Sequence, residues 1–216
     1  MAKLKVAVLF SGRGSNLQAL IDDCRAPGAA AEIVLVLCNE PGAAGLARAA
    51  AAGIPTRVID HRGFADRAAF DAALDRALAA AGAELVCLAG FMRLLGAAFV
   101  ERWRDRLINI HPSLLPAFRG LDTHARALAA GVRFTGCTAH FVRPEMDDGP
   151  IIVQAAIPIR ADDTADSLAT RVLGAEHRIY PLALRLIAEG RVRVDGERVV
   201  VASAVNPAGA TINPEG

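Results

Sequence analysis

An alternation in the first half of the chain restricts its fold more than any other feature: short apolar runs, each of strand length, separated by longer stretches of helical periodicity. Apolar runs at residues 4–10, 32–38, 55–59, 84–89 and 106–110 predict strands, and residues 16–25, 43–52, 67–81 and 97–104 predict the helices between them. Strands joined through helices lie parallel, and the connecting helices cover the two faces of the sheet. The expected architecture is therefore α/β, doubly wound, with a mostly parallel sheet. Gly53 and Gly82 stand where helices would end in a left-handed residue.

After His111 the pattern changes. A short helix at 123–130 is followed by two longer β-like runs, 135–142 and 151–159, on either side of a polar loop at 143–150 that holds two prolines and a glycine. Such a loop joins antiparallel strands, so the C-terminal half is expected to add antiparallel strands to a Rossmann-like N-terminal half. Thr164 is placed to cap a long helix at 164–189 that Gly190 closes, and 192–201 reads as a hairpin around Asp195-Gly196. We expect a single domain over 1–204. Residues 205–216 offer little that could pack and are expected to form a mobile tail.

With 216 residues, 53% hydrophobic and 22% charged, the chain is large enough to bury a core and enclose a cleft. Its 24 basic and 23 acidic residues leave a formal charge of +1, without the broad positive field that grips a phosphate backbone, so no nucleic-acid partner is expected. The first apolar run stops at Ser11, too short for a signal peptide core or a membrane span, and reads as a first strand; we expect a cytoplasmic protein with no membrane partner. Cys24, Cys38, Cys87 and Cys137 lie far apart without metal-ligand spacing and read as buried free thiols in a reducing compartment.

Three segments carry chemistry. The first strand runs through Ser11-Gly12-Arg13-Gly14-Ser15-Asn16 into a helix, a turn whose free amides suit a phosphate, although Ser15 or Asn16 could instead simply cap the helix. It is neither a Walker loop, lacking the Gly-Lys-Ser/Thr ending, nor a full dinucleotide fingerprint, lacking the third glycine. Asn109 and His111 stand two apart at the carboxyl edge of a predicted strand, where both could reach one carbonyl as donor and acid/base; a structural histidine and a turn asparagine are the bland alternatives. The third segment, 143–150, contains Asp147, and sequence separation alone does not bring it to His111.

Taken together, these stretches resemble the phosphoribosylglycinamide formyltransferase family over nearly the whole chain. The resemblance is carried by residues 11–16, 88–93, 109–116 and 120–128, His140-Phe141-Val142 with Asp147, and Glu176-His177 before Tyr180-Pro181. It implies a catalytic trio of Asn109, His111 and Asp147 that moves a formyl group from 10-formyltetrahydrofolate directly onto an amine in purine synthesis, without a metal. Backbone groups at Gly14, Ser15 and Asn16 would take the substrate phosphate, and Glu176 the ribose-glycinamide portion. For the folate the resemblance points to Arg67, Met92, Arg93, Leu94 and Leu95, with Asn109 and the pterin loop Arg143, Pro144, Glu145 and Met146. The single domain would divide into a phosphate-binding half (1–110) and a catalytic and folate-binding half (111–204). Small molecules would be the partners, and the protein a monomer or homodimer.

The chain departs from better-known members at Ala117, where a lysine is common, at Arg119 in place of a proline, and at Asp122 in place of a histidine. Arg119 is the candidate to replace the missing charge. The wider superfamily shares the trio, so a methionyl-tRNA formyltransferase and a formyltetrahydrofolate hydrolase are the enzyme alternatives, each expected to carry a further domain. A non-catalytic binding module on the same fold is the alternative of another class.

Overall fold

The structure, a computed structural model, describes residues 2–203, 209 and 211–214. Nine strands occur among them: β1 (Leu4–Phe10), β2 (Ala31–Cys38), β3 (Thr56–Val58), β4 (Leu85–Leu88), β5 (Leu107–His111), β6 (Phe134–Phe141), β7 (Ile151–Pro158), β8 (Val192–Asp195) and β9 (Arg198–Val201). Six helices accompany them: α1 (Ser15–Cys24), α2 (Leu46–Ala51), α3 (Arg67–Ala80), α4 (Ala97–Arg102), α5 (Thr123–Ala129) and α6 (Ala165–Ala188). Each predicted element is present to within a few residues; the short 3-10 turn His61–Gly63 is the addition.

Seven strands form one sheet in the order β3-β2-β1-β4-β5-β6-β7, parallel from β3 to β5 and antiparallel for β6 and β7, and β8-β9 is a separate hairpin. Alternate residues of β1 enter two cores, because its side chains alternate between faces. Val6, Val8 and Phe10 join Leu17, Leu20, Leu168, Val172 and Tyr180 beneath α1 and α6. Ala7 and Leu9 join Phe70, Leu74, Leu78, Phe99 and Trp103 beneath α3 and α4. This two-sided burial is what the near-continuous apolar run of β1 encoded.

Two polar devices hold α6 in place. Thr164 and Ser167 form the reciprocal capping box at its start, at 3.1 and 3.0 Å. Midway along, the fully buried Tyr180 hydroxyl donates to the carbonyls of Leu88 at 2.9 Å and Ile108 at 3.2 Å, pinning the helix to β4 and β5. The four cysteines are free and buried, as expected. Burial pushes the Cys24 and Cys137 thiols up to about 12, so neither is a nucleophile near neutral pH.

The expected tail falls largely on residues 204–208, 210, 215 and 216, which lie outside the described residues. Of those described, Asn213 donates to the carbonyls of Arg133 at 2.6 Å and Ile159 at 3.0 Å.

From β1 the chain winds outward to β3 and then returns to β4 on the other side of β1, so the winding direction reverses between β1 and β4. Connections leave in opposite directions there, opening a crevice at the carboxyl ends of the strands.

Candidate active site

Ser11, the first residue beyond β1, stands at that reversal. Its amide donates to the Gly90 carbonyl at 3.1 Å, its hydroxyl accepts from the Met92 amide at 2.7 Å, and the same hydroxyl donates to Asn39 Oδ1 at 2.5 Å. The glycine-rich turn and the 92–95 segment are thus laced together beside the sheet edge. Gly14 precedes α1 with φ 68°, a left-handed backbone, and a Cβ there would sit 2.8 Å from Gly45 Cα. No side chain caps α1, so the reading of Ser15 or Asn16 as a mere cap is not realised, and the first-turn amides lack a side-chain acceptor. The buried Asn16 instead donates through Nδ2 to Glu176 Oε2 at 2.6 Å, while its Oδ1 has no partner among the described residues. Glu176 is buried on α6 rather than solvated on a helix surface, and desolvation holds its carboxyl above the usual range against the opposing Asn16 hydrogen bond.

At the end of β5, Asn109 and His111 pair across the antiparallel ladder with His140 and Thr138 of β6. The register of β6 also decides where Asp147 arrives, because the loop after β6 returns to the same edge. His111, 5% exposed, places Nδ1 3.4 Å from Asp147 Oδ1 and Nε2 3.0 Å from the Phe118 carbonyl. Both ring nitrogens thus face oxygens that only accept. Asp147 adopts a left-handed backbone (φ 49°), and its Oδ2 accepts from the Gly120 amide at 2.7 Å. Asp147 therefore meets His111 at the end of the strand that also carries Asn109.

The residues expected to hold the folate divide into two groups. Met92 and Leu94 are 66% and 64% exposed and Arg93 is also exposed, so this turn does not bury its own apolar side chains; Leu95 alone packs against the second core. Arg67 is exposed at the start of α3 and lines a cleft of about 340 Å3 with Asp71, Gly96 and Phe99. Pro144, Glu145 and Met146 are exposed on the loop after β6. Arg143 differs, since its guanidinium is buried against Asp105 and Glu197 and is not free for a ligand. Likewise Arg119 pairs with Asp148 at 2.9 Å. A separate cleft of about 1040 Å3 borders Ser15, Arg48 and His177 between α1, α6 and β7. Among the described residues no group of three His, Cys, Asp or Glu gathers as a metal site would require, and no helix is long and apolar enough to cross a membrane.

Against known families, residues 4–184 match the formyl transferase profile. The chain belongs to the formyl transferase family. It is 42% identical to the phosphoribosylglycinamide formyltransferase of Escherichia coli (strain K12) over 91% of this chain and 96% of that protein. It is also 54% identical to the trifunctional purine biosynthetic protein adenosine-3 of Gallus gallus, covering 89% of this chain but only 19% of that protein. The crystal structure of glycinamide ribonucleotide transformylase 1 from Symbiobacterium toebii superimposes with a TM-score of 0.91 at 46% identity, covering 93% of this chain and 95% of that one.

In this formyl transferase the sequence reading had missed the layer beneath the trio. His140 donates through Nδ1 to the Phe141 carbonyl at 2.9 Å, which leaves Nε2 as the acceptor for Asn109 Nδ2 at 3.4 Å and orients that amide. Thr138 accepts from the Leu115 amide and donates to the Ser113 carbonyl, and Gln154 bonds both Thr138 and the Leu115 carbonyl, anchoring the 112–117 turn. Thr138 and His140 alternate along β6 with period two, but only the cross-strand register shows what they face.

Burial pushes the His140 imidazole down to about 4. Its folded-state pKa lies below the unfolded value near 6.5, so the unfolded chain binds the extra proton, and this contribution is present above pH ~6.5 and is lost as pH falls towards 4. Denaturant titrations from pH 7 to pH 4 should show wild type losing up to roughly 3 kcal/mol that His140→Gln does not lose. Parallel stability curves for the two proteins would show that His140 is not held neutral.

Proposed function

We propose that this chain is a cytoplasmic phosphoribosylglycinamide formyltransferase of de novo purine synthesis, moving the formyl group of 10-formyltetrahydrofolate to the glycinamide amine. The observation that carries the reading is the His111–Asp147 pair beside Asn109 at the carboxyl edge of β5.

The amine nitrogen attacks the formyl carbon, giving a tetrahedral centre with an oxyanion and an ammonium. Asn109 and His111 donate to the oxyanion, and Asp147 holds the imidazole by facing its other ring nitrogen. A water held by Asp147 takes the ammonium proton and delivers it towards folate N10, the carbon–N10 bond breaks, and the formylated amine and tetrahydrofolate leave. His111 Nε2 can approach the reacting oxygen only as the Phe118 carbonyl gives way to it.

The substrate phosphate suits the first-turn amides of α1 at Gly14, Ser15 and Asn16, where the helix dipole also favours an anion. Glu176 and Asn16, joined by their hydrogen bond, are the groups that would take the ribose-glycinamide portion. The exposed Met92 and Leu94, with the backbone of 143–146, provide an apolar wall for the flat pterin. On this reading the phosphate is bound within 1–110, while the folate and the chemistry draw on both halves, with Met92, Leu94 and Asn109 from the first and His111, Asp147 and the loop 143–146 from the second.

Purified protein mixed with 10-formyltetrahydrofolate, with and without phosphoribosylglycinamide, tests it. Donor loss that depends on the amine, with the formylated product detected by mass, is the expected result. Breakdown of the donor without the amine would assign a hydrolase instead, and a bound but unreacted donor would leave a binding module or another acceptor.

A further inference from the structure

We infer that Arg143 is a positioning residue that couples the C-terminal hairpin β8-β9 to the pterin side of the site. This inference rests on the functional reading above. The Arg143 side chain is 5% exposed, and its guanidinium is shared among three segments. Nη2 donates to Asp105 Oδ1 at 2.9 Å, Nε donates to Glu197 at 2.9 and 3.2 Å, and Nη1 donates to the Val142 carbonyl at 3.2 Å. Glu197 lies in the turn between β8 and β9 and also receives Arg104 Nη2 at 3.0 Å, so two arginines fix it. Asp105 occupies the turn before β5, with a left-handed backbone of φ 56°. One buried fork thus joins the loop after β6 to the strand that bears Asn109 and His111 and to a hairpin distant in sequence.

The stem of Arg143 matters as much as its charge. Gly149 folds back over it so closely that a Cβ there would lie 3.0 Å from Arg143 Cγ. The loop closes through Phe141 N to the Pro150 carbonyl at 2.9 Å and is tied to β5 by Val142 N to the Leu107 carbonyl at 2.9 Å. Arg143 therefore forms the floor of the loop that carries Asp147 and exposes Pro144, Glu145 and Met146. A buried guanidinium without its carboxylates must move towards water, and this loop would move with it. The Asp147–His111 contact, at 3.4 Å, has little slack for such a shift.

Glu197 is 58% exposed and lies outside the trio, so its replacement spares the fold while removing one arm of the fork. Glu197→Ala and Glu197→Gln in the full chain should raise the KM for 10-formyltetrahydrofolate and lower kcat, together costing roughly tenfold in kcat/KM for the donor, as expected for slight misplacement of reacting groups. The KM for the amine substrate should stay within about twofold, the pH–rate profile should shift, and Glu197→Asp should recover part of the loss. Asp105→Asn, which removes the other arm, should act in the same direction. A lowered Tm with unchanged donor kinetics and pH profile would reduce Arg143 to a structural staple and overturn the inference, as would equal losses for both substrates. If wild type proves inactive, the functional reading fails first. Calorimetric titration with tetrahydrofolate then decides: binding weakened in Glu197→Gln relative to wild type sustains the inference, and unaltered or undetectable binding ends it.

Discussion

His111→Asn is expected to lower kcat by about 10^2- to 10^4-fold, the range for loss of a positioned acid/base, while KM for either substrate changes by less than about threefold. The reason is geometric. His111 sits at the end of β5 with one ring nitrogen on Asp147 and the other on the Phe118 carbonyl, which a formyl oxygen would replace. An asparagine keeps a donor but not the imidazole's capacity to deliver a proton to the developing oxyanion. Asp147→Asn should follow with a smaller loss, because it removes the charge facing His111 Nδ1 while retaining a polar side chain of the same size. Steady-state kinetics on both variants, with Tm as a folding control, checks this. Near-normal kcat with a raised KM would assign these residues to binding.

Gly149→Ala should produce the other large effect. The φ of Gly149 is 130°, a region that L side chains rarely adopt, and its Cβ would strike the Phe141 carbonyl oxygen. That oxygen is the acceptor that fixes the His140 tautomer, and His140 in turn holds the Asn109 amide. Backbone strain of this kind costs on the order of 1–3 kcal/mol, read as a Tm lower by several degrees, and a displaced Asp147 should reduce kcat by at least about tenfold. Gly174→Ala is the control: it lies within α6 with open space around it, so a neutral or slightly raised Tm is expected there. If both variants behaved alike, the crowding at Gly149 would have no consequence.

The strands and helices were legible because their signals are local. β1 is a strand whatever surrounds it, since a run such as Val6 to Phe10 loses water on both faces only inside a sheet. The helix ends at Thr164 and Gly190 follow from capping and left-handed backbone, both readable within a few residues. Asn109 and His111 were legible as a pair because a strand places residues two apart on one face. The 3-10 turn at His61–Gly63 gave no comparable signal, being a single turn held by the Asp60 side chain.

Contacts spanning long stretches of chain were not legible in this way. Sequence alone left Asn16 between helix cap and ligand group and gave no sign that it meets Glu176; the fold joins the two at 2.6 Å across 160 positions. Arg143 read as part of the pterin loop, yet its guanidinium is turned to Asp105 and Glu197 because the hairpin β8-β9 returns beneath that loop. The meeting of Asp147 with His111, and the service of His140 to Asn109, depend on β6 running antiparallel to β5 in one register. By itself the sequence determined the elements, the doubly wound class and the residue types of the trio, because hydrophobic period, capping and turn chemistry act over a few residues. Only the tertiary structure decided which polar side chains meet and which are buried, because a side chain's partners and its loss of water are set by how distant segments pack.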